Sequence, residues 1–75
     1  MKRQAHLTYS KNGKAYGEIE RYICTDGEFY IRIRKFCEQM NEMVVTDFQK
    51  GDKNFTQGFW AAWQQQMFDA GAELI

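Results

Sequence analysis

The residues equipped for chemistry are few in this chain: one serine, Ser10, one histidine, His6, two cysteines, Cys24 and Cys37, and ten carboxylates. A nucleophile needs a base within hydrogen-bond reach and a third group to orient that base. No spacing here supplies such a set, and His6 is expected on a strand beside Glu18. Glu18 and Glu20 have the two-carboxylate composition of an acid/base pair, but the strand register derived below sets both opposite arginines, where they serve as ion-pair partners. Two cysteines and one histidine do not complete a four-ligand zinc set without carboxylates, and no C-x-x-C or H-x-x-x-H spacing occurs. There is no G-x-G-x-x-G, no G-x-x-x-x-G-K-[ST] and no EF-hand spacing around Asp47, Gly51 and Asp52. The expectation is a protein that is not an enzyme and takes no cofactor and no metal.

The elements that must position these groups belong to one small domain spanning residues 1–75, since a chain of 75 residues cannot divide its core. Ten basic and ten acidic side chains give zero net charge, so neither a polybasic arm nor an acidic tail describes it. Met1-Lys2-Arg3-Gln4-Ala5-His6 is followed by no apolar stretch, unlike a signal peptide. The longest apolar run, Phe59-Trp60-Ala61-Ala62-Trp63, falls far short of the ~20 residues that cross a bilayer. A cytoplasmic location without membrane contact is expected.

Two Asx-Gly pairs, Asn12-Gly13 and Asp26-Gly27, stand between alternating segments and mark hairpins. A two-residue turn and a three-residue loop differ by one residue, and a slip of one flips every side chain to the other face. With Thr25, Asp26 and Gly27 as loop, Arg21 faces Ile31 and Ile19 faces Ile33 on one side. The other side pairs Tyr22 with Tyr30, Glu20 with Arg32, Glu18 with Arg34 and Tyr16 with Phe36. Aromatic and opposite-charge pairs each contribute roughly 0.2–1 kcal/mol, which favours this register over one that sets Arg21 against Arg32. A matching loop of Lys11, Asn12 and Gly13 sets Tyr9 against Ala15, Leu7 against Gly17 and Ala5 against Ile19, with His6 beside Glu18 and Gln4 beside Glu20. Strands are expected near 4–10, 14–24 and 28–36. Cys24 and Cys37 then stand about nine strand residues apart, roughly 30 Å, too far for a disulfide.

Beyond Phe55 the period becomes helical: Phe59, Trp63, Met67, Ala70 and Leu74 share a stripe with Trp60 at its margin. Asn54-Phe55-Thr56-Gln57 has the form of a capping box for a helix over about 55–70, and Gly71 is placed to end it or sit within it. Ala15 and Gly17 leave a shallow place on the middle strand for an indole. Residues 37–53 are read as a fourth strand at about 43–49 followed by a loop, with a second helix on Phe36, Met40, Met43 and Val44 as the alternative. The fold class is therefore α+β, an antiparallel meander of three to four strands (residues 4–49) packed against a C-terminal amphipathic helix.

Residues 1–36 hold eight bases and four acids, and residues 37–75 two bases and six acids. The outer sheet face interleaves Tyr16, Tyr22, Tyr30, Arg32, Arg34 and Phe36, types enriched at protein-binding hot spots. These six are the candidate partner-binding residues. Trp60 and Phe68 form a second candidate patch, suited to a homodimer if exposed, though packing of Phe68 and Ile75 against residues 37–53 is the preferred reading. The chain reads as a protein-binding module, of the kind with which phage and mobile elements inhibit or adapt a host machine, anti-defence inhibitors included. The alternative is a nucleic-acid-binding domain using the outer face, where Glu18 and Glu20 would oppose phosphate. In architecture alone the arrangement resembles sheet-face DNA readers such as integrase arm-binding domains, and none of their motif residues occurs here.

Overall fold

Gly27 lies in the left-handed region at φ +84°, and its N–H donates to the Cys24 carbonyl at 3.1 Å. Asp26 Oδ1 accepts from the Glu28 N–H at 2.9 Å, so Thr25, Asp26 and Gly27 close as the expected three-residue loop. In the computed structural model, which describes Met1–Ile75, this loop joins β2 (Lys14–Ile23) to β3 (Phe29–Cys37). The pairs Tyr22–Tyr30, Glu20–Arg32, Glu18–Arg34, Arg21–Ile31 and Ile19–Ile33 all form as the sequence requires.

The first hairpin, from β1 (Lys2–Lys11) to β2, closes differently. Asn12 and Gly13 both have positive φ, +55° and +77°, the combination a two-residue type I′ turn demands and asparagine tolerates. That turn alone would throw the apolar residues to the wrong faces. A bulge at Tyr16, between the pairs Ser10–Ala15 and Tyr9–Gly17, restores them. The result is a shift of two residues from expectation: Leu7 faces Ile19, Ala5 faces Arg21, and His6 faces Glu20. A second bulge at Gln4 sets Arg3 opposite Tyr22, so it is Arg3 rather than Gln4 that reaches Glu20.

Residues 37–53 form a strand, not a second helix. β4 (Glu42–Gly51) pairs antiparallel with β3, entered through a turn in which Asn41 takes φ +54°. The helix α1 (Lys53–Asp69) begins two residues earlier than the capping-box reading places it: Asp52 is the N-cap, its Oδ1 accepting from the Phe55 N–H at 2.8 Å. It ends where Gly71, at φ +78°, donates to the Phe68 carbonyl and Ala72 to the Met67 carbonyl, a Schellman closure. The chain then turns back as the short β5 (Glu73–Leu74) beside Tyr9 and Ser10, so Leu74 belongs to the sheet and not to the helical stripe.

The sheet order is β4-β3-β2-β1-β5, and α1 lies across one face. Between them Tyr9, Ile19, Ile31, Ile33, Trp63 and Met67 form the core, with Trp63 edge-on to Tyr9 at 5.3 Å between centroids. Gly17 supplies the shallow place: a Cβ there would stand 3.0 Å from Met67 Sδ and 3.2 Å from Trp63 Cζ2. Thr56 is fully buried because its hydroxyl bonds back to the Asp52 and Lys53 carbonyls. Cys24 and Cys37 are both free thiols. No helix is long and apolar enough to cross a membrane.

Candidate functional site

No element covers the second face of the sheet. Strand alternation aims Glu18, Glu20 and Tyr22 of β2, and Tyr30, Arg32 and Arg34 of β3, onto that face. The centre is Glu20, whose side chain is only 4% exposed. Arg32 grips its Oε1 from Nε at 3.0 Å and from Nη2 at 2.7 Å, while the Tyr22 hydroxyl donates to Oε2 at 2.7 Å and Arg3 Nη1 at 3.2 Å. Burial pushes the Glu20 carboxyl up, but the bonds from Tyr22, Arg32 and Arg3 outweigh it and hold the group at about 2. The hydrogen bond to that carboxylate raises the Tyr22 hydroxyl and the Arg32 guanidinium above their ordinary values.

A second cluster adjoins the first, in which Glu18 accepts from Arg34 Nη1 at 3.1 Å and stands 3.4 Å from His6 Nε2. The ligand atoms of His6, Glu18 and Glu20 all lie within 4.8 Å of one another, a spacing a metal ion would accept. Three guanidiniums already engage the two carboxylates, so this group is built as an ion-pair network.

Beside it runs a row of rings across three strands: Tyr22 to Tyr30 at 6.2 Å and Tyr30 to Phe48 at 6.0 Å. Phe48 is 62% exposed and Val45 48%, both on β4 opposite Arg32 and Arg34. Sequence reasoning missed this pair. A regular strand would send Val45 and Phe48 to opposite faces, whereas a bulge at Thr46 brings them to one side. The signal was their three-residue spacing where two was expected. Lys50 closes the row, bonded to Asp26 at 2.8 Å, which lowers the Asp26 carboxyl and raises the lysine.

Of the six expected partner-binding residues, Tyr22, Tyr30, Arg32 and Arg34 come together at this network. Tyr16 does not join them. Its bulge lets it pack against the core cluster, with Lys11 Nζ 5.3 Å from its ring centroid. It lines, with Phe36, Lys14, Glu38 and Asn41, a depression between the β1–β2 and β3–β4 turns. The second expected patch is not one patch. Trp60 is half-buried on the core, and Arg21 sits 5.6 Å from both its ring and that of Phe29. Phe68 is 76% exposed and does not pack against residues 37–53, and Ile75 is equally exposed. Eight helical residues, about 12 Å of rise, separate Trp60 from Phe68.

Comparison of the chain with protein-family models, with curated proteins and with solved structures finds no match in any of the three.

Proposed function

We propose that this chain is a non-enzymatic protein-binding module that docks through the uncovered sheet face. The observation that carries the reading is the exposure of Phe48 and Val45 beside Arg32 and Arg34, which the buried Glu20 and its neighbour Glu18 hold in place. Exposed rings and aliphatic side chains bordered by ordered guanidiniums have the composition of an interface core with a polar rim. Ordering matters because a side chain already held in one rotamer loses less freedom on binding. The two longer dimensions of the molecule, 38 and 24 Å, allow the face to meet the ~800 Å² per partner of a standard interface. A chain of this size suits an inhibitor or adaptor that occupies part of a larger machine in the cytoplasm.

Nucleic acid is the second reading, favoured by the Tyr22–Tyr30–Phe48 row. Polyanion affinity grows with the number of unneutralised cations. Here Arg3, Arg32, Arg34 and Lys50 each have a carboxylate oxygen within 3.2 Å, which leaves little net charge to bind phosphates. The Tyr22 and Tyr30 rings are inclined at 54° and half-buried, a poor platform for successive bases.

The test is capture from the lysate of the source cells with the folded chain as bait, with and without nuclease. Protein recovered in both arms and lost with Phe48→Glu supports the proposal. Recovery abolished by nuclease makes nucleic acid the ligand.

A further inference from the structure

The arginines of the open face differ in what they still offer. Arg32 spends Nε and Nη2 on Glu20, and Nη2 also donates to the Tyr22 hydroxyl at 3.1 Å. Arg34 donates to Glu18 from Nη1 alone, which leaves Nε and Nη2, one whole edge of the guanidinium, without a partner in the chain. Its side chain is 35% exposed, and its neighbour on β4 is the exposed Val45.

The carboxylates lie beneath their cations. Glu20 is 4% and Glu18 18% exposed, against 30–51% for Arg3, Arg32 and Arg34, so a surface approaching this face meets guanidinium edges first. The network neutralises the face as seen by a distant polyanion. At contact range it still presents directed N–H donors, and a guanidinium edge matches a carboxylate in a two-bond fork.

Resting on the protein-binding reading above, we infer that the outer face docks an acidic segment of a partner protein, with one carboxylate seated on the free edge of Arg34 and an adjacent apolar side chain on Val45 and Phe48. The pairing of donor and apolar surface is specific to this end of the face. At the other end, Lys50 is held by Asp26 at 2.8 Å and has no fork to offer.

The experiment is selection of a displayed library of short random peptides against the folded chain, with the enriched peptides mapped by amide chemical shifts. The expected peptides place Asp or Glu next to an aromatic or aliphatic residue and perturb Arg34, Val45 and Phe48. Arg34→Gln lowers their affinity about tenfold or more, Arg34→Lys loses part of that, and changing the peptide's acid to its amide costs nothing further in the Arg34→Gln background. Peptides that perturb the same face but bind Arg34→Gln unchanged overturn the carboxylate seat and leave the docking face standing. Enrichment on the helix around Phe68, or no enrichment alongside binding of oligothymidylate to the sheet, overturns both.

Discussion

Glu20 illustrates how one side chain sets the character of a surface. On an uncovered sheet it would be an ordinary exposed carboxylate, yet four donor atoms, two of them from Arg32, close over it and leave it nearly inaccessible. Because its carboxyl is held at about 2, below the 4.5 of the free group, its contribution to stability is fully present above pH 4.5. That contribution is lost as the pH falls through about 2. The urea midpoint of the native chain should therefore fall more steeply between pH 5 and pH 2 than that of Glu20→Gln, and parallel curves for the two would contradict the assignment. At neutral pH the same substitution leaves guanidiniums without their anion, and a loss of about 2 kcal/mol is expected from chemical denaturation after allowance for the exposure of the arginines.

At the scale of elements, the architecture rests on where backbone irregularities fall. The β2–β3 register was legible because only one of two loops pairs Tyr22 with Tyr30 and both glutamates with arginines. The β1–β2 register was not, because Asn-Gly serves a two-residue turn or a three-residue loop, and a compensating bulge at Tyr16 leaves no mark in the apolar pattern. Between the two bulges the expected faces survived while the partners did not; at the bulges Arg3 and Tyr16 changed face as well. The helix start was misplaced for a related reason, since Asp52 and Asn54 are both good caps and only Asp52 stands where β4 releases the chain. Replacing Asp52 by Ala should lower stability by about 1 kcal/mol, read as a fall in the thermal midpoint. Gly17→Val should lower it by about 1–3 kcal/mol in denaturant titration, because its side chain would enter space held by Met67 and the buried Trp63. A neutral Gly17→Val would show that α1 sits further from β2 than described.

On the scale of the whole molecule, a sheet with one face covered and one open is the outcome of a single helix serving five strands. The basic first half supplies most of the open face, whereas the acids of the second half lie mainly in β4, the turn before it, the helix cap and β5, with α1 itself carrying only Lys53 and Asp69, so the zero net charge conceals a division along the chain. Half of the candidate site was legible in the sequence: Tyr22, Tyr30, Arg32 and Arg34 follow from alternation. Val45, Phe48 and Arg3 join through bulges, and Tyr16 leaves through one. Phe68 is exposed near the end of the helix that covers the opposite face, so Phe68→Glu should leave the fold and the mass in solution unchanged by sedimentation. That makes it the control for docking through the open sheet face. The most direct measurement is the affinity of the captured partner for Phe48→Glu and for Phe68→Glu, each confirmed folded, at low and moderate salt. Phe48→Glu is expected to lower affinity by about a hundredfold, as loss of a hot spot of roughly 3 kcal/mol does, with Phe68→Glu unchanged and, for the native chain, only the shallow salt dependence of a single carboxylate–guanidinium pair. Equal binding by both variants, or loss confined to Phe68→Glu, would place the docking surface elsewhere and contradict docking through the open sheet face.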